Sequence, residues 1–260
     1  MPLLVTRPQP QADEWVAALH ARGVAAHALP LLQIVAERDP AAGAAWASLS
    51  TQRLVVFVSP GCVQSFFALR PPATGWPPGT WAGATGPGTS HALRAQGVPD
   101  TCIIEPAPDA EQFDSEALWW RLELQSWRDQ RVLIVRGDGG RDWLADRLRE
   151  RGAQVAFVQA YRRTLPSLDA PQRALLAAAT GAPASHCWLF SSSQAVEHLR
   201  QLAPLSDWSS GCAIATHPRI AATLRAAGFG SVWSVRPTLD AVVEAWKRSI
   251  QSMPAPDQRP

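Results

Sequence analysis

Three stretches of this chain recur about 130 residues further on, and each is an apolar run that closes on a polar corner. Val5-Thr6-Arg7-Pro8, with Leu19 and Arg22-Gly23, returns as Ile134-Val135-Arg136-Gly137, with Leu148 and Arg151-Gly152. Phe57-Val58-Ser59-Pro60 with Val63 returns as Phe190-Ser191-Ser192-Ser193 with Val196. Thr85-Gly86-Pro87, with Leu93-Arg94 and Gly97, returns as Thr216-His217-Pro218, with Leu224-Arg225 and Gly228. A duplication of this kind demands two similar units built from the same strand-to-helix junctions. A corner that recurs either caps the helix that follows it or binds a ligand through both copies.

Strand-like runs alternate with amphipathic stretches along nearly the whole length. The runs are Leu3–Thr6, Ala25–Leu29, Leu54–Ser59, Trp81–Thr85, Thr101–Glu105, Val132–Arg136, Gln154–Val158, Cys187–Ser191, Cys212–Thr216 and Ser231–Val235. Most are continuously apolar, as strands covered by helices on both faces must be. The stretches Ala12–Arg22 and Arg141–Arg151 both end in Arg-Gly, a basic last turn followed by a glycine C-cap. The fold class this predicts is α/β, with two similar domains, each a five-stranded parallel sheet flanked by helices.

Leu31–Arg38 and Gln159–Leu165 fit neither pattern and occupy equivalent places in the two repeats. They read as a connector, centred on residues 34–37 and 159–163. The ends of the chain, 1–33 and 164–253, then form a discontinuous domain around a second domain at 38–158, with 254–260 a flexible tail. Two simple tandem domains are the other arrangement the pattern allows.

Apolar residues make up 47% of the chain and charged residues only 18%, which excludes a disordered segment. A net charge of +2 gives no sign of nucleic acid. Lys247 is the only lysine, so the positive charge is nearly all arginine, whose planar fork suits carboxylates. Cys62, Cys102, Cys187 and Cys212 form no CxxC pair and read as small core residues in a reducing compartment. No apolar stretch approaches the roughly 20 residues of a membrane span, and no signal peptide is visible. The expectation is a cytoplasmic protein.

Serine or threonine before a proline is a standard helix opening, with free backbone N–H groups at the positive end of the helix dipole. Thr6-Arg7-Pro8, Ser59-Pro60, Thr85-Gly86-Pro87 and Thr216-His217-Pro218 all fit it, and in doubly wound sheets such corners crowd one edge. Two domains whose corners face each other suit a ligand bearing many negative groups. Gly137-Asp138-Gly139-Gly140 follows a strand but lacks both GxGxxG spacing and a P-loop lysine. No Gly-x-Ser-x-Gly elbow and no histidine cluster are present. Asp114-Ser115-Glu116 reads as a helix cap. Tyr161, the only tyrosine, falls in the second connection, where it packs on a domain edge or donates a proton.

Taken in order, Val5-Thr6-Arg7-Pro8 with Gln11, Phe57-Val58-Ser59-Pro60-Gly61-Cys62-Val63, Gly86-Pro87-Gly88-Thr89, Ser115-Glu116-Ala117-Leu118, Arg136-Gly137-Asp138-Gly139-Gly140-Arg141, Tyr161-Arg162-Arg163 and Phe190-Ser191-Ser192 resemble the uroporphyrinogen-III synthase family. The resemblance implies two α/β domains joined by a two-stranded connector. It implies hydroxymethylbilane as substrate, a linear tetrapyrrole with eight carboxylate side chains, closed with inversion of the last ring and loss of water. It implies no metal or organic cofactor, and a monomer to which hydroxymethylbilane synthase channels the substrate. Tyr161 matches the connector tyrosine proposed as an acid. Ser59, Thr89 and Ser192 match polar positions of the cleft, and Thr85, Thr216, Arg7 and Arg136 join them as corner residues. At the fourth corner the family often has Gly-Pro-x-Thr, whereas this chain has His217-Pro218-Arg219-Ile220 and lacks the hydroxyl. Two other readings share the corners: a non-catalytic binding protein for a polyanionic small molecule, and a nucleotide-dependent transferase using Gly137–Gly140.

Overall fold

The computed structural model describes residues 1–36 and 40–251. They divide into two compact units, one formed by Met1–Gln33 with the chain from Thr164 onward, the other by Ile34–Arg163. The first unit opens with β1 (Leu3–Val5), α1 (Gln11–His20) and β2 (Ala26–Ala28). The chain then builds the second unit with β3 (Gln33–Ala36), α2 (Pro40–Ala47), β4 (Leu54–Phe57), α3 (Pro60–Phe67) and β5 (Trp81–Ala84). There follow α4 (Pro87–Ala95), β6 (Ile103–Ile104), α5 (Ser115–Leu122), β7 (Arg131–Gly137), α6 (Trp143–Glu150) and β8 (Gln154–Thr164). It returns to the first unit through α7 (Ala170–Gly181), β9 (Cys187–Phe190), α8 (Ser193–Leu202) and β10 (Cys212–Ala215). The last elements are α9 (Pro218–Ala226), β11 (Ser231–Ser234) and α10 (Leu239–Gln251).

The first unit holds a five-stranded sheet, β11-β10-β9-β1-β2, and the second a six-stranded sheet, β3-β8-β7-β4-β5-β6. The repeat is visible in the pairing itself. Leu3 lies opposite Cys187 and Cys187 opposite Cys212, all parallel. Val132 lies opposite Leu54 and Leu54 opposite Trp81 in the same sense. The sheets differ from the expected pair of five-stranded ones because β3 adds to the edge of β8. The two segments read as a connector are therefore strands: β3, and the far half of a β8 that runs on to Thr164. Residue 37 of that reading and the tail at 254–260 lie outside the described residues.

The continuous apolar runs follow from burial on both faces. In β4, Val55 and Phe57 face one core while Leu54 and Val56 face another. In β9, Trp188 and Phe190 face one core of their unit, and Cys187 and Leu189 the opposite one. Alternate side chains of a strand point to opposite faces, so a strand between two helical layers has no polar side to show. Each fully buried side chain of this size contributes roughly 1.5–3 kcal/mol of hydrophobic stabilisation.

The repeated Leu and Arg-Gly positions terminate helices. Gly23 (φ +73°) and Gly152 (φ +89°) take the left-handed conformation that side chains resist. Beside them Val24 N–H donates to Leu19 O (3.0 Å) and Ala153 N–H to Leu148 O (3.0 Å), closing the last turns. Helix openings are less uniform than expected. Ser59 caps α3, but the cap of α4 is Gly86, not Thr85, and the cap of α9 is His217, not Thr216. After Thr6-Arg7-Pro8 the chain turns through two more residues before α1 begins at Gln11, with Ala12 N–H donating to Pro8 O. The first corner is thus a loop at the end of β1, not a helix opening. Asp114 caps α5 as expected, accepting from Ala117 N–H (3.0 Å).

Candidate functional site

The carboxyl ends of β4, β7 and β8 bring two functional candidates of the second unit together, Tyr161 and Ser59. Tyr161 lies in β8 and is 3% exposed, within the core that also holds Val135, Val158 and Cys62. Its phenol oxygen lies 3.0 Å from Ser59 Oγ, at the opening of α3. Ser59 Oγ also accepts from Cys62 N–H (3.3 Å) and lies 3.4 Å from Cys62 Sγ. Ser59 itself is half-buried, so it stands between the enclosed phenol and the surface. Burial pushes the phenol up to about 12, and the adjacent Cys62 adds to this, against smaller opposing effects from Arg163 and Ser59. Burial also raises the Cys62 thiol. Both groups are protonated at neutral pH.

Two glycines shape this seat. A side chain on Gly61 would meet Tyr161 Cε1 at 3.5 Å, and one on Gly137 would overlap Cε2 at 2.6 Å. The Gly-rich segment after β7 braces the tyrosine strand. Asp138 N–H donates to Tyr161 O (3.0 Å), and Asp138 Oδ1 accepts from Arg163 N–H (2.9 Å). The space a phosphate would use beside Gly137 is filled by Tyr161 and Arg163, so the nucleotide-loop reading has no cradle.

The remaining candidates of this unit are engaged within it. Arg136 pairs with Asp142 and its guanidinium lies 3.9 Å from the centre of the Phe157 ring. Thr85 Oγ1 donates to Val58 O (3.1 Å). Thr89 sits in the first turn of α4 and is 3% exposed.

In the first unit the corresponding side chains make fewer hydrogen bonds among the described residues. Arg7, at the end of β1, stacks 4.3 Å from the Trp15 ring centre. Its buried Nε has no hydrogen-bond partner among the described residues, and burial lowers its pKa to about 10. Ser192 caps α8 by position only, since its hydroxyl makes no capping bond. Thr216 is buried at the end of β10, its N–H on Phe190 O (3.0 Å). His217 Nδ1 accepts from Arg219 N–H (3.1 Å), a side-chain cap where α3 has the Ser59 hydroxyl. Ile220, where a threonine was expected, packs into the core at 5% exposure.

Sequence reasoning missed Cys62, Gly137 and Asp138 as parts of the tyrosine's surroundings. Their positions in repeated corners were the available signal, but their contact with Tyr161 depends on strand order. Among the described residues no three His, Cys, Asp or Glu side chains are placed to hold a metal ion, and no helix is long and apolar enough to cross a membrane. A hollow of about 570 Å³ near Arg200 and Trp208 contains none of the candidate residues.

Parallel α/β sheets with polar corners at their carboxyl edges, repeated in two units of one chain, define a class of two-unit α/β proteins. The match to the family described as "Uroporphyrinogen-III synthase HemD" extends over residues 13–244, and the chain belongs to that family. A uroporphyrinogen-III synthase of Salmonella typhimurium is 34% identical over 177 residues, covering 67% of this chain and 70% of that protein. One from Escherichia coli is 32% identical over 179 residues, covering 67% and 70%. In fold, the chain is similar to a mutant uroporphyrinogen III synthase from Thermus thermophilus (TM-score 0.59, 18% identity, 97% of this chain and 100% of that one). It is similar also to the enzyme from Helicobacter pylori (TM-score 0.57, 16% identity, 95% and 98%). Family membership favours catalysis over the non-catalytic binding reading.

Proposed function

We infer that the chain closes hydroxymethylbilane to uroporphyrinogen III as a hydro-lyase, inverting ring D and releasing water. The observation that carries the mechanistic part is the Tyr161–Ser59 hydrogen bond at 3.0 Å, an enclosed acid joined to a half-buried hydroxyl. Ser59 passes its proton to the leaving hydroxyl of the bilane and takes one from Tyr161. The pyrrole nitrogen's electron pair expels water and leaves an azafulvenium cation. That assistance is why a phenol held near 12 is acid enough. The cation joins ring D at its already substituted carbon. The spiro intermediate then breaks its other bond at that carbon and recloses inverted. The proton lost as the pyrrole regains aromaticity restores the acid.

Without catalysis the same bilane closes uninverted, so holding one conformation is the larger part of the task. Arg7, Ser192 and Thr216 in one unit, with Ser59, Thr85, Thr89 and Arg136 in the other, are the residues proposed to meet the substrate. The enzyme acts as a cytoplasmic monomer, receiving bilane from hydroxymethylbilane synthase. The test is a coupled reaction from porphobilinogen with that synthase, the product oxidised and its isomers separated. Type III product without added metal or nucleotide is expected. Mostly type I product from folded protein refutes the reading.

A further inference from the structure

The two units carry the same corners in different states. In each of three repeat-related pairs, the side chain of the second-unit member is engaged internally, whereas that of the first-unit member makes no hydrogen bond among the described residues. Arg136 is paired with Asp142, whereas Arg7 has no carboxylate partner, and its buried Nε no hydrogen bond, among the described residues. The Ser59 hydroxyl meets Tyr161 and Cys62, whereas the Ser192 hydroxyl makes no capping bond. The Thr85 hydroxyl donates to Val58 O, whereas Thr216 bonds through its backbone.

The first-unit members are neighbours. Strand order β10-β9-β1 sets Thr216, Ser192 and Arg7 on three adjacent strand ends at the carboxyl edge of one sheet. We propose that this edge of the first unit is the carboxylate anchor for the bilane, with Arg7 as its charged centre, while the second unit's edge serves the chemistry. This deepens the bilane reading and rests on it.

A half-buried guanidinium whose Nε is enclosed without a partner among the described residues is unfavourable, because desolvation is not offset by a counter-ion. The lowering of the Arg7 pKa to about 10 is the same effect seen in the free protein. A carboxylate arriving from the substrate supplies the missing charge and a bidentate partner for a fork already oriented by Trp15. Arg136 offers no such gain, since an incoming carboxylate would compete with Asp142.

The proposal separates binding from turnover by unit. Arg7→Gln should raise KM for enzymatically generated bilane roughly 10- to 100-fold, the worth of one charge-assisted hydrogen-bonded pair. Arg136→Gln should raise it at least three times less. Ser192→Ala should act mainly on KM, and Ser59→Ala mainly on kcat. Uroporphyrin III, an octacarboxylate, gives a reading independent of turnover: quenching of its fluorescence should show weaker binding to Arg7→Gln than to Arg136→Gln. Arg7→Lys, which keeps the charge and loses the fork, should fall between wild type and Arg7→Gln. If Arg7→Gln does not fold, the Ser192→Ala and Ser59→Ala pair decides. Equal KM effects of the two arginine variants, a larger effect at Arg136, or a kcat effect at Ser192 overturns the proposal. Wild-type protein yielding only type I product would instead refute the bilane reading itself.

Discussion

Gly137 and Tyr161 face each other across β7 and β8, and the tyrosine ring fills the place of the side chain that Gly137 lacks. A Cβ there would stand 2.6 Å from Cε2 and 2.8 Å from Cζ. Non-bonded carbons do not approach so closely, so even one methyl group must push the phenol away from Ser59. Gly137→Ala should therefore fold yet lose at least about 10-fold in turnover if the phenol is the acid. In a Tyr161→Phe background the same change should cost little more, because the hydroxyl it displaces is gone. Additive losses in kcat across this cycle would detach Gly137 from the phenol.

As the only tyrosine, Tyr161 can be titrated without interference from another phenol. Tyrosinate absorbance in the folded protein should rise with a midpoint near 12, against about 10 for an exposed phenol. Because the folded-state value is raised, the stability linked to it is complete below about 10 and lost as pH climbs toward 12. The loss is on the order of 2–3 kcal/mol and should vanish in Tyr161→Phe. A midpoint near 10 with the fold intact would contradict the burial.

Tyr161→Phe should keep the fold and lose about 10²-fold or more in kcat. Steady-state rates on enzymatically generated bilane decide this. Unchanged turnover would leave Tyr161 as a packing residue.

Ser59→Ala, Thr89→Ala and Ser192→Ala should each cost roughly 5- to 100-fold in rate or affinity, from about 1–3 kcal/mol per hydroxyl bond. Ser59 belongs at the upper end, since it also meets Tyr161, and its loss from the α3 cap should cost about 1 kcal/mol of stability. The triple variant compared with the singles is the measurement. One serine abolishing activity while the others are silent would end the idea of distributed anchoring.

Asp138→Ala should destabilise the protein by about 1–3 kcal/mol, because the Arg163 N–H loses its acceptor. Thermal unfolding measures this directly, and saturable nucleotide binding should be absent before and after the change. Retained stability would remove Asp138 as a brace.

What the sequence disclosed depended on whether the signal was local. β4 and β9 were readable because burial on both faces forces continuous apolar runs. β3 was not: Gln33–Ala36 is mostly exposed, and it is a strand only because β8 lies beside it. Ser59 and Tyr161 could each be placed at a strand end. Their contact spans 102 positions and depends on β4 and β8 both flanking β7, which no short motif encodes. The difference between Arg7 and Arg136 was hidden for a similar reason. Asp142 lies only six residues beyond Arg136, but the intervening glycine turn determines that the two side chains meet.

β1 sits between β2, its near neighbour in sequence, and β9, where Leu3 pairs with Cys187. During synthesis every strand of the six-stranded sheet is made before β9. The second unit can complete its sheet while β1 and β2 still lack their central partner. A chain released after Thr164 would thus hold one complete sheet and an apolar β1 with an unsatisfied edge, the kind of strand that attracts chaperones and aggregation.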